Sequence, residues 1–174
     1  MQQHRALILR GNRFLGSALV DKGLISQPDL EAANDKFMTS IQGSELKNSS
    51  ILTSLLYDLK VLDENDLIAH TVEERGCGLI DLNHVELQSI TSLDGVDPDL
   101  CWATSTIPFD KVEKTHLLAS SYVLSAPVVK HWEQILDGTV IWYVATVTSI
   151  SRGLETLDDI HRAEAEAAEE EEEN

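Results

Sequence analysis

NRFLGSALVDKGLISQPDLEAA, residues 12–33, is the stretch on which the reading of this chain turns. Leu15, Leu19 and Val20 fall on one face of a 3.6-residue helix, which Leu7 and Ile8 extend upstream. The face ends near Lys22, and Gly23 follows at the C′ position, where a positive φ costs glycine little. Ser26 then offers an N-cap and Asp29, three residues on, completes a capping box around a proline-containing first turn. Ile25 before the cap and Leu30 inside the helix stand at the two ends of a hydrophobic staple. The segment therefore predicts two helices joined by a tight turn, the second running from Gln27 to about Phe37.

Working outward, a weaker copy follows at a spacing of 37: SILTSLLYDLKVLDENDLIAHT, residues 50–71. The shift aligns Leu15 with Leu52, Leu19 with Leu56, Leu24 with Val61, Ile25 with Leu62 and Leu30 with Leu67. Asp63 and Asp66 repeat the cap. A repeated apolar frame with a repeated cap predicts duplicated hairpins, each needing the other to bury its face. TSIQGSELKNSS between them (39–50) is polar and turn-like.

After Arg75 the pattern changes. GCGLIDLNHVELQSI mixes glycines with short apolar runs, while THLLASSYVL and VIWYVATV carry strand character. Between the latter two, PVVKHWEQILDG reads as a helix, with Pro127 near its start, an apolar face on Val128, Trp132, Ile135 and Leu136, and Gly138 as its stop. A last helix is expected over about 151–165. The fold class expected is α+β: helical hairpins over 1–76 (about 12–37 and 49–75), then a small α/β unit with a short sheet over 77–163. Residues 164–174 are expected to form an acidic tail without fixed structure.

Composition sets further limits. The 174 residues are 43% hydrophobic, with mean hydropathy −0.12. The apolar runs fall far short of the roughly 20 residues that cross a bilayer, and no secretory leader pattern opens the chain. Cys77 and Cys101 lack metal-site spacing and suit buried thiols in a reducing compartment, so a cytoplasmic location is expected. Net charge is −17, of which residues 155–174 contribute −9. That balance argues against nucleic acid and anionic membranes as partners. It leaves the tail as a solubilising end or a dock for a basic partner.

No phosphate-cradling loop, HExxH, CxxC or GxSxG occurs, and the six histidines share no ligand spacing. GCG at 76–78 lacks dinucleotide-binding spacing, and the tryptophans are scattered. No catalytic residue, cofactor or metal site is expected.

The hairpin pattern FLGSALVDKGLISQPDLEAA resembles the N-terminal domain of the type II secretion and type IV pilus assembly ATPases. GLIDL (78–82), IPF, LLASSYVL and VIWYVATVTSI extend the likeness over about residues 10–160. The resemblance implies a domain that docks a motor to the cytoplasmic part of a membrane platform protein, here without the ATPase core. The acidic end suggests a stand-alone chain rather than a fragment. A subset of that family binds cyclic di-GMP through the two repeated motifs. The resemblance places a degenerate nucleotide motif on Arg13, Leu15, Gly16, Leu19, Val20, Gly23 and Leu24, with Lys60 in the second copy. Phe14 holds the family's arginine position, and Thr53 and Lys60 replace the second copy's glycines. Side chains where a phosphate needs close backbone approach lead to the expectation of a protein partner, such as a platform component, and of no tight cyclic di-GMP binding.

Overall fold

The structure, a computed structural model, describes residues 2–43, 49–87 and 96–174. Of the turn expected over 39–50, residues 44–48 lie outside that set.

The first hairpin forms as its signals dictate. Helix α1 (Arg5–Asp21) buries Ile8, Leu15 and Leu19. It closes in a Schellman turn: the Leu24 N–H bonds Leu19 O at 2.9 Å and the Gly23 N–H bonds Val20 O at 3.0 Å, with Gly23 at φ +72°. Helix α2 (Gln27–Gln42) starts on the expected box, the Asp29 N–H donating to Ser26 Oγ at 3.2 Å and the Ser26 N–H to Asp29 Oδ2 at 3.4 Å. Both staple residues, Ile25 and Leu30, are buried.

The second hairpin keeps the later part of that frame, but before its turn the pairing moves by one residue, with Leu55 rather than the expected Leu56 in the place of Leu19. Its first helix begins as α3 (Ile51–Thr53) and widens into a π-helical turn, Ser54–Asp58, in which the Leu59 N–H reaches Ser54 O. One extra residue is thereby absorbed, and the C-terminal bonds shift to match: Val61 and Leu62 N–H groups both point at Leu55 O. Lys60 stands at φ +53°, the left-handed geometry that Gly23 adopts in the first copy. Helix α4 (Glu64–Arg75) follows, with Asp63 capping the Asp66 N–H at 3.1 Å. Leu30 and Leu67 thus occupy equivalent places, both buried.

The remainder is a four-stranded mixed sheet with helices packed on it. Strands β1 (Gly78–Leu79), β2 (Thr106–Val112), β3 (Thr115–Ser120) and β4 (Thr139–Val144) lie in the order β1-β4-β3-β2. β2 and β3 form an antiparallel hairpin, while β4 runs parallel to β3 and β1. Helix α5 (Pro98–Thr104), absent from the expected elements, starts on an Asp97 cap. Helix α6 (Ala126–Ile135) connects β3 to β4 and buries Val128 and Trp132. Helix α7 (Val147–Glu173) begins earlier than expected, because Thr146 caps the Ser149 N–H at 3.1 Å and ends the strand run.

α7 also continues through the residues expected to lack fixed structure. Alanine and glutamate are strong helix formers, and an established helix extends at little cost per residue. Every residue from 161 onward is exposed.

One apolar core runs through both parts, from Leu15, Leu19 and Leu52 to Leu118, Trp132 and Ile150. A smaller cluster of Ile8, Phe37 and Ile41 fastens α1 to α2.

Candidate functional site

In α/β sheets ligands favour the crevice beyond the carboxyl ends of parallel strands. Here the chain itself fills that place. Residues 121–125, which follow β3, are all buried. Ser125 Oγ donates to Gly11 O of α1 at 2.8 Å, seating the first hairpin on the end of the sheet.

The open concavity that collects complementary chemistry lies between α1 and α2. It encloses about 370 Å³ and is lined by Leu9, Arg10, Asn12 and Arg13 from α1 and by Asn34, Phe37 and Met38 from α2. Phe37 forms the floor, anchored in the small cluster with Ile8 and Ile41. Met38, on its wall, is exposed. Arg10 and Arg13, three residues apart on one helical face, are exposed on the rim. Neither makes an ion pair among the described residues. Two uncommitted guanidiniums over an apolar floor suit a ligand that is anionic at one end and flat or apolar at the other.

Behind this groove lies a buried polar hub. Asn12 Nδ2 donates to Ile8 O at 2.8 Å, while Asn12 Oδ1 accepts from the Ile51 N–H at 2.9 Å and from the Tyr122 hydroxyl. The Tyr122 oxygen also meets Ser50 Oγ, whose own oxygen caps the Leu52 N–H at 3.0 Å. The wall of the groove is thus tied to the start of the second hairpin and to the loop after β3. Burial pushes the Tyr122 hydroxyl far above its ordinary value, so it serves as a neutral donor.

The residues singled out from the sequence divide sharply. Only Arg13 lines the groove. Leu15 and Leu19 are buried in the core, and Val20 and Leu24 pack against it. Gly16 serves helix packing: a Cβ there would stand 2.5 Å from Leu30 Cδ1 and 3.2 Å from Ile51 Cδ1. Gly23 and Lys60 shape turns. Arg10, Asn34, Phe37 and Met38 were not assigned to a site, because nothing in sequence spacing shows which face of α2 meets which face of α1. The i, i+3 arginine pair was the one available signal.

A larger concavity, about 510 Å³, lies between residues 82–87 and α7, with Arg152 as its sole cation among the lining residues. Among the described residues no group of three His, Cys, Asp or Glu side chains could hold a metal ion. Burial raises both the Cys77 and Cys101 thiols, which keeps them protonated and poorly nucleophilic. Among the described residues no helix is long and apolar enough to cross a membrane.

This architecture, paired helical hairpins seated on a small mixed sheet, is an α+β fold that recurs in solved structures. Among the solved structures that share it are three similar over most of this chain. That of MshE with cdg (cyclic di-GMP) is 19% identical, covers 82% of this chain and 96% of its own, and has a TM-score of 0.50. Two structures of the N-terminal domain of XpsE are 16% and 14% identical, with TM-scores of 0.52 and 0.53; they cover 80% and 83% of this chain and 90% and 94% of their own. At these identities the likeness establishes the fold. No protein-family profile and no curated protein matches the sequence.

The likeness to MshE overturns the expectation against cyclic di-GMP as a partner. That expectation rested on Phe14 standing at the family's arginine position, with Arg13 one residue early, and on the glycines missing from the second copy. Their absence bears little on ligand space, since Gly16 faces Leu30 and Ile51 rather than solvent, and Lys60 retains the turn geometry of its glycine counterpart. The cationic groups sit elsewhere, on the open rim of the α1–α2 groove.

Proposed function

We propose that this chain is a non-catalytic regulatory docking domain that binds cyclic di-GMP in the α1–α2 groove. The observation carrying the proposal is the pair of uncommitted arginines over an apolar floor, in a protein whose net charge is −17. Arg10 and Arg13 pair with phosphate oxygens, for which the guanidinium fork is well shaped. A guanine ring packs against the exposed Met38 above the buried Phe37, and Asn34 offers a donor and an acceptor to its edge. The groove volume falls within the range of small-molecule sites. The structure of MshE with cyclic di-GMP, on the same fold, supports this choice of nucleotide. Under this reading the nucleotide governs attachment to a protein partner, the role that the sequence resemblance implies.

Calorimetric titration of the whole chain with cyclic di-GMP, beside GMP as a control, is the test. Saturable micromolar binding is expected, weakened about tenfold, or 1.4 kcal/mol, by Arg13→Ala and similarly by Arg10→Ala. Absence of saturable heat up to about 1 mM nucleotide, a level corresponding to only 4 kcal/mol of binding, would overturn the proposal.

A further inference from the structure

We propose that the α1–α2 groove also accepts the acidic end of α7 from a second copy of this chain, giving a weak, salt-sensitive, head-to-tail association. The inference stands apart from nucleotide binding and rests on how charge is distributed over the fold. Residues 1–25 carry four Arg or Lys and one Asp, while residues 155–174 carry ten Asp or Glu and one Arg. α7 holds the second set on a helix whose residues from 161 onward are all exposed, and none of Glu164, Glu166 and the glutamates at 169–173 makes an ion pair among the described residues. Uncommitted cations and uncommitted anions therefore stand at two separate places on one molecule.

Their patterns also match. Ala163, Glu166, Ala167 and Glu170 share one face of α7 by helical spacing. The alanines permit close approach to an apolar floor, and Glu166 and Glu170, about one turn apart on either side of Ala167, can meet Arg10 and Arg13, also about one turn apart. Carboxylate–guanidinium pairs over a partly apolar contact are stronger than the same pairs in open water. The groove and the helix end are different surfaces, so the contact is heterologous and permits chains longer than two. The high net charge of each copy opposes association, which is why it is expected to be weak.

Sedimentation equilibrium of the whole chain is the experiment, run at about 0.1 M salt, where the Debye length is about 10 Å. The weight-average mass is expected to rise with protein concentration, and the rise to vanish at about 1 M salt. Arg10→Glu/Arg13→Glu and Glu166→Lys/Glu170→Lys should each be monomeric alone, while an equimolar mixture of the two should associate again. All four positions are exposed, and circular dichroism checks that each variant is folded. A wild-type chain that stays monomeric throughout overturns the inference. So does association that survives Arg10→Glu/Arg13→Glu, or a mixture that fails to recover it.

Discussion

The Tyr122 hydroxyl donates to Asn12 Oδ1, a bond that spans 110 positions of sequence and joins the loop after β3 to the middle of α1. Asn12 is 2% exposed and Tyr122 1%. The same oxygen of Asn12 receives the first free N–H of α3, from Ile51. One side chain thus satisfies a helix N-terminus and a buried hydroxyl, and either would be costly to leave unpaired in the core.

Asn12→Leu should therefore destabilise the fold by about 2–4 kcal/mol, since it strands the Ile51 N–H and the Tyr122 hydroxyl together. Tyr122→Phe keeps the buried ring and should cost about 1–2 kcal/mol. Urea unfolding followed by tryptophan fluorescence measures both. Midpoints equal to wild type for Asn12→Leu would show that the hub contributes nothing.

Tyr122 also sets an alkaline limit. Its folded value is raised by burial, so its contribution is fully present below the ordinary tyrosine value, about 10, and is lost as pH rises through the folded value. Stability of the wild type should fall more steeply above about pH 10 than that of Tyr122→Phe. Parallel pH profiles for the two proteins would contradict this account.

The two hairpin turns make opposite predictions from one geometry. No atom lies within 4 Å of a Cβ built at Gly23, so Gly23→Ala should cost only the left-handed backbone penalty, about 1 kcal/mol. Lys60 already bears that penalty at φ +53°, and Lys60→Gly should stabilise by about 0.5 kcal/mol after allowing for the looser unfolded chain. Thermal melts decide it. A stabilising Gly23→Ala, or a strongly destabilising Lys60→Gly, would mean that the turns are not equivalent.

At acid pH the N-terminus should come loose. The His4 ring bonds the Asp97 carboxylate at 2.8 Å and, with the Asp99 N–H and Gln3, holds it below the ordinary value. A depressed carboxylate contributes stability above its unfolded value, about 3.9, and loses it as pH falls through the folded value. The pair is partly exposed, so the effect is local and small. Amide chemical shifts of Gln3 and His4 should titrate below pH 4 in the wild type and lose that transition in Asp97→Asn. An identical acid transition in both proteins would place its cause elsewhere.

The hairpins were legible because their signals are local. A cap, a C′ glycine and a staple act within a few residues: Ser26 with Asp29, Gly23 with Val20, Ile25 with Leu30. The π-helical turn in the second copy was not, since Ser54–Leu59 differs from a regular helix by one hydrogen-bond register, and packing decides that choice. Strand limits were blurred for a related reason: Val147–Ile150 has strand composition but follows a Thr146 cap into helix.

By itself, then, the sequence determined the paired hairpins, the α/β unit after them and the charge separation between the two ends. Those follow from periodicity, capping and composition, which need no knowledge of long-range contacts. Only the tertiary structure decided that Asn12 would meet Tyr122, that Gly16 would face Leu30 rather than a ligand, and that Arg10 and Arg13 would share a groove with Phe37 and Met38. Each of these depends on which helix face turns inward, and that is fixed by how the hairpins and the sheet together bury the largest apolar area.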